Sequence, residues 1–269
     1  MMAAVQPKIV GSLADYIKTL KSPVFQLGLA GAPVTPWYLG QPDPAGKLLP
    51  ALYRGSINPE LEREILREFR MLAAEFIAPK GVTDREWLVH AHQNGLPARI
   101  IEWQANSLAA LFLAVESMDA SKHGRVWIFN PWAFNDASAG LPYVPMIDEP
   151  YIEKYVVKLS DPDAKMFPEA EAPMAFRPYR NLRTYNLQNT FFTIHGNDRE
   201  PLEAMRFFAR KTGIVLTYIL IEGAAKKAIM KELYGIGVTR ASLFPGVGSI
   251  AKTLAYRYSK DYASTEIQL

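Results

Sequence analysis

Between Asn58 and Phe76 the apolar residues Leu61, Ile65, Leu66, Phe69, Leu72, Ala73 and Phe76 recur every three or four positions, with Glu62, Arg63, Arg67 and Arg70 between them. That period predicts an amphipathic helix whose stripe packs on a core. Asn58 suits its N-cap, and Pro59 its first turn, where a missing N–H costs no hydrogen bond. Thr83-Asp84-Arg85-Glu86 has the spacing of a capping box, so a second helix should run through His90 and His92 and stop by Gly95-Leu96-Pro97. Ser107 to Val115 is apolar on every side, which predicts a central helix buried all round. Further helices are expected over 13–20 behind Ser12, over 224–233 with Lys226, Lys227 and Lys231 outward, and over 250–258. Arg125–Phe129 and Ile214–Ile221 are rich in β-branched and aromatic residues and read as strands. One more short strand is expected in the Pro- and Gly-rich stretch 22–50, whereas 131–180 lacks periodicity and reads as an irregular insertion.

These elements make an α+β chain: a single domain with a mixed central sheet and packed helices. With 269 residues, 49% of them hydrophobic, it can bury a large core. A net charge of +3 implies no electrostatic commitment to nucleic acid or to anionic membrane. Cysteine is absent, which removes disulfides, thiolate nucleophiles and Cys-based zinc sites and fits a cytoplasmic location. No export signal and no run of about 18 apolar residues is seen. The four histidines, at 90, 92, 123 and 195, are too few and too scattered to suggest a metal site. P-loop, GxGxxG, GxSxG and HExxH motifs are missing too.

Three segments resemble one family. His92-Gln93-Asn94-Gly95-Leu96-Pro97-Ala98-Arg99-Ile100-Ile101-Glu102-Trp103, with an Ala-rich helix after it, resembles the family's Gln-His-x-Gly-Leu-Pro-Thr-Arg-Leu-Leu-Asp-Trp. Tyr38-Leu39-Gly40-Gln41 sits where the family has Phe-Arg-Gly-Gln, and Leu49 to Arg54 resembles the Leu-x-Pro-x-Leu-x-Arg that follows it. Arg183, Gln188 and Phe192-Thr193-Ile194-His195 resemble a third motif, and the region around Leu243-Phe244-Pro245 resembles the family's ending. The chain thus resembles the FRG-domain proteins, as a divergent member: the family's Arg is Leu39, its His is Gln93, its Thr is Ala98 and its Asp is Glu102. On this reading residues 1–30 are an N-terminal helix and linker, and 31–260 the FRG-like domain, with the insertion at about 131–180.

The resemblance implies an effector of a bacterial or phage conflict system, a toxin–antitoxin or phage-defence component. By loose analogy of motif order, it implies an ADP-ribosyltransferase-like fold that handles NAD or another nucleotide as substrate, with no other cofactor. Arg99, Glu102, Gln188 and His92 are then the candidate catalytic residues. Tyr38, Leu39, Gly40, Gln41, Arg54 and Trp103 are candidates for binding the nucleotide. Arg99 and Glu102 are expected to form an ion pair that fixes the guanidinium for a phosphate or carboxylate. The alternative is a catalytically degenerate binding module that acts through a protein partner, an antitoxin or a target. Trp37, Tyr38 and Trp132 would then be its exposed anchors.

Overall fold

The computed structural model describes residues 8–22, 35–77, 81–161, 168–178, 190–205 and 215–264. Gln188 and Arg183 of the third motif lie outside them. In chain order the elements are β1 (Lys8–Val10), α1 (Leu13–Leu20), β2 (Trp37–Gln41), α2 (Glu62–Ala73), α3 (Asp84–Gln93), β3 (Ile100–Gln104), α4 (Ser107–Val115) and β4 (Gly124–Phe129). There follow α5 (Pro131–Ala139), α6 (Pro150–Glu153), β5 (Met174–Phe176), β6 (Thr190–Ile194), β7 (Leu216–Ile221), α7 (Lys226–Gly235), α8 (Arg240–Leu243), α9 (Val247–Arg257) and α10 (Lys260–Ser264). The strands form one mixed sheet in the order β1-β7-β4-β2-β3-β6-β5, in which β1 and β7 run parallel and the other pairs antiparallel. The fold is mixed α+β.

Strand alternation divides the core into three. One face of the sheet carries Trp37, Ile101, Trp103, Trp127, Phe129 and Leu216 under Phe134 of α5. The opposite face is covered in two halves. Under α1, α4 and α7 lie Val126, Ile128, Ile219 and Ile221; under α2, α3 and the α6 region lie Ile100, Met174, Phe176, Phe192 and Ile194. The seam between these halves falls at β2 and β3.

Helix α4 is apolar all round and buried along most of its length, because it sits directly on the sheet. Gly40 and Gly124 permit this contact. A Cβ on Gly40 would stand 1.9 Å from the carbonyl oxygen of Ala110, and one on Gly124 would stand 2.5 Å from that of Ala114. The capping box forms as the spacing predicts: the Thr83 hydroxyl accepts from the Glu86 N–H and the Glu86 carboxylate from the Thr83 N–H, and the helix it opens runs out before Gly95 at φ +88°.

Two expectations need correction. Asn58 caps a short 3-10 turn, Pro59–Leu61, that feeds α2, and the buried side of α2 is formed by Glu62, Arg63 and Leu66. Leu61, Leu72 and Phe76 of the predicted apolar stripe are exposed. The face turns inward because Glu62 and Arg63 have partners inside, Arg99 and the Asp161 carbonyl. Lys226, expected outside, is fully buried; its amine donates to the Pro42 carbonyl at 2.8 Å. Within 131–180 the chain forms α5, α6 and the edge strand β5. Buried Asn135 ties α5 to β5, donating to the carbonyls of Ala175 and Tyr143 and accepting the Ala175 N–H.

Candidate functional site

Strands β2 and β3 are neighbours in the sheet, yet a single rung joins them, Tyr38 opposite Gln104. Each is fully paired on its other side, β2 with β4 and β3 with β6 over five residues. Beyond the rung they part, and a cavity of about 520 Å³ opens between them. Leu39, Gly40 and Gln41 line it from β2, Ile100, Ile101, Glu102 and Gln104 from β3, and Arg54 and His92 from the flanking segments. Leu113 of α4 and Phe244 close the side toward the other half of the core.

The charged groups in this cavity form a mixed set. His92 Nε2 stands 3.6 Å from a carboxylate oxygen of Glu102, with both side chains partly exposed. The His92 ring meets Phe192 edge-on at 5.9 Å, which fixes its plane. Arg54 is exposed at the mouth, its Nε donating to the Leu49 carbonyl at 2.8 Å. Gln41 accepts the indole N–H of Trp127 at 2.8 Å. Pro42, whose carbonyl holds the Lys226 amine, also lines the cavity. Burial lowers the Lys226 pKa, opposed by the negative charges of Asp119 and Asp43.

Gln104 was not among the sequence candidates. It is 4% exposed, lines the cavity, and its side-chain oxygen has no hydrogen-bond partner among the described residues. A buried amide oxygen left this way costs free energy unless a donor reaches it. The period-two alternation of β3, which puts Ile100, Glu102 and Gln104 on one face, is the signal that could have found it.

Arg99 does not pair with Glu102. Its guanidinium is 3% exposed and points away from the cavity to Glu62 of α2, with Nε 2.9 and 2.8 Å from the two carboxylate oxygens and Nη2 also in contact. Nη1 donates to the carbonyls of His195 and Gly196, both at 3.3 Å. Burial alone would lower the Arg99 pKa, but the adjacent Glu62 carboxylate outweighs it and holds the guanidinium firmly charged. Arg99 therefore stitches α2, the start of β3 and the end of β6 together. His195 lies in the same nest, fully buried, and neither ring nitrogen has a partner within ordinary hydrogen-bond geometry among the described residues. Burial drives its pKa down to about 3, opposed by the Glu200 backbone and reinforced by the charge of Arg99.

Trp103 is a core residue as well, stacked 4.5 Å from Phe129 with its indole N–H donating to Thr193. Tyr38 faces the α4 half of the core. Trp37, expected as an exposed anchor, is buried and stacks on Phe191 at 4.5 Å; Trp132 is partly buried against Arg177. Of the sequence candidates, the structure thus brings together Leu39, Gly40, Gln41, Arg54, His92 and Glu102, and places Arg99, Trp103 and Tyr38 elsewhere.

All six converging residues fall inside one segment, 35–123, which matches the family model for the FRG domain. The chain carries an FRG domain. No curated protein and no solved structure matches it. The FRG segment runs from just before β2 to the start of β4. It supplies both walls of the cavity, while Phe244 comes from outside it. Among the described residues no cluster of three or more His, Asp or Glu side chains could hold a metal, and no helix is long and apolar enough to cross a membrane.

Proposed function

We propose that this chain is a cytoplasmic FRG-domain effector of a bacterial or phage conflict system, and that it handles a nucleotide-type substrate such as NAD in the cavity between β2 and β3. One observation carries the reading: the FRG motif residues Leu39, Gly40, Gln41, Arg54, His92 and Glu102, far apart in sequence, line one cavity. Its volume falls in the range of small-molecule sites.

The chemistry would be group transfer of the ADP-ribosyltransferase kind. The glycosidic C–N bond of NAD breaks, nicotinamide leaves with the bonding pair, and an acceptor nucleophile bonds to the sugar carbon and gives up its proton. Two carboxylates line the cavity; Asp43 is paired with Lys122 at 2.6 Å, which leaves Glu102 suited to stabilise positive charge on the sugar and to take that proton, with His92 orienting it. Arg54 at the mouth suits the phosphates, and the free oxygen of Gln104 suits an amide or amino N–H.

Leu39 lines the same cavity where FRG-domain proteins carry the Arg of their motif, and this favours a second reading, a degenerate module that binds a partner without turnover. One experiment separates the two. NAD is titrated into the chain by calorimetry, and nicotinamide release is followed with a labelled acceptor. The enzyme reading expects Glu102→Gln to abolish release while binding persists. It expects Leu39→Arg to tighten binding about ten- to a hundred-fold, the worth of one charge-assisted hydrogen bond. If NAD binds to neither the chain nor Leu39→Arg, the enzyme reading is wrong and the binding module stands.

A further inference from the structure

Asn135 shows how this fold uses a buried amide for structure. It donates to the carbonyls of Tyr143 and Ala175 at 2.8 and 2.9 Å and accepts the Ala175 N–H at 2.7 Å, so both ends of the amide are engaged. Gln104 is nearly as deeply buried, yet no partner among the described residues reaches its side-chain oxygen. A leucine there would pack on its apolar neighbours without the cost of an unmade hydrogen bond. Gln104 lines the cavity, and a ligand in the cavity is what its amide can still bind.

The sheet sets its place along the cavity. Gln104 forms the rung with Tyr38, where β2 and β3 are still joined, so it stands at the closed end. Glu102 follows on the same face two residues toward the opening, about 7 Å away at the rise of a strand. Arg54 is exposed at the mouth, and Leu113 and Phe244 close the flank. With Arg54 on the phosphates and Glu102 at the sugar carbon, the group beyond that carbon points inward, to Gln104.

We infer that Gln104 is the residue that selects the leaving group: it reads the carboxamide of a nicotinamide ring and rejects a carboxylate in its place. This role rests on the nucleotide reading of the cavity given above. A side-chain amide and a carboxamide each offer an N–H and a C=O, and a half-turn of the Gln104 amide exchanges its oxygen and NH2 at constant shape, so the two groups can pair through both. A carboxylate offers acceptors alone and brings a negative charge to a buried end of the cavity. The basic groups that line the cavity, Arg54 and His92, stand at the mouth and beside Glu102 and leave that charge uncompensated. The apolar flank of Leu113 and Phe244 suits a flat ring. It also favours bond breaking, because the ring enters as a pyridinium cation and leaves neutral with the bonding pair. An adenine amino group would satisfy the same oxygen, but in NAD it lies on the far side of the phosphates from the sugar carbon assigned to Glu102.

Calorimetry with three probes tests it on the full chain, with no acceptor present: NAD, nicotinic acid adenine dinucleotide, which differs from NAD in carrying a carboxylate for the carboxamide, and ADP-ribose, which lacks the ring. The wild type should bind NAD at least about ten-fold tighter than the acid dinucleotide, a comparison that needs no variant. Gln104→Leu should lose about ten- to a hundred-fold in NAD affinity, bind the two dinucleotides more nearly alike, and leave ADP-ribose binding unchanged. Its Tm should be equal or higher, because no hydrogen bond within the protein is lost. NAD binding that Gln104→Leu leaves unchanged, or equal binding of the two dinucleotides by the wild type, overturns the role of Gln104 while the nucleotide reading stands. Equal weakening of NAD and ADP-ribose by Gln104→Leu also overturns it, and assigns the residue to the adenine end. If the chain binds no dinucleotide, the same comparison is made in Leu39→Arg; no binding there either ends the nucleotide reading and the role of Gln104 with it.

Discussion

The Glu62–Arg99 pair gives the sharpest test of how this fold is held. Both side chains are 4% exposed, so neither charge can turn to water if its partner is removed. Glu62→Ala leaves a buried guanidinium with only the carbonyls of His195 and Gly196, and breaking a buried pair in this way costs about 3–5 kcal/mol. At about 2.1 cal/mol/K per residue, a chain this long has an unfolding entropy near 0.56 kcal/mol/K, so the Tm should fall by about 5–9 °C. Arg99→Met should cost a similar amount by stranding the carboxylate. The double variant Glu62→Leu/Arg99→Met removes both charges at once, and replacing a whole buried pair with apolar groups is often nearly neutral. Its loss should therefore be well below the sum of the single losses, giving a coupling of several kcal/mol in urea denaturation. If each single variant costs less than about 1 kcal/mol, or if the losses simply add, the pair does not hold this corner of the fold.

Two further outcomes follow from burial. Gly40→Ala should prevent soluble expression or lower stability by several kcal/mol, because its Cβ would fall 1.9 Å from the Ala110 carbonyl oxygen; Gly248→Ala, with open space around it inside α9, should stabilise by about 1 kcal/mol, and thermal melts compare the two. His195 should make the fold acid-sensitive: its folded pKa of about 3 lies below the ordinary value near 6.5, so the unfolded chain binds a proton that the native one refuses, and stability present above pH 6.5 is lost as pH falls toward 3. Between pH 7 and 5 the wild type should lose about 2 kcal/mol more than His195→Gln in denaturation curves, and identical slopes would refute the assignment.

The Glu62–Arg99 pair also shows where reading the sequence succeeds and where it stops. Local chemistry was legible. The Thr83 capping box, the Ser12 cap and the buried α4 are set by side chains within a few residues of one another, and they formed as expected. The first two motif segments, read from order along the chain, do meet, because β2 and β3 are neighbours in the sheet, while Arg183 and Gln188 of the third lie outside the described residues. What failed were pairings judged from spacing without the backbone that carries it. Arg99 and Glu102 are three apart, a distance that meets on a helix but points to opposite faces along a strand. Glu102 turned to His92, and Arg99 found Glu62, 37 residues upstream on another element. Lys226 went inside for the same kind of reason, since the Pro42 carbonyl that receives it comes from a loop 184 residues away in sequence.

These misreadings separate two jobs that the FRG motif performs in one stretch of chain. In the run from Arg99 to Gln104 the side chains alternate, so Arg99 and Trp103 serve the fold while Ile100, Glu102 and Gln104 line the cavity with His92, and Ile101 borders the cavity from the opposite face of the sheet. The parity also bears on the divergence of this chain. Leu39 and Glu102, both departures from the family pattern, are cavity-lining positions, whereas Arg99, which matches it, is locked behind the wall. Ala98, another departure, is buried with Leu88 and Ile100, where an apolar side chain is the better fit. Change at Leu39 and Glu102 thus alters what the cavity can hold without loosening the Arg99 stitch, and the two functions of the motif can diverge independently.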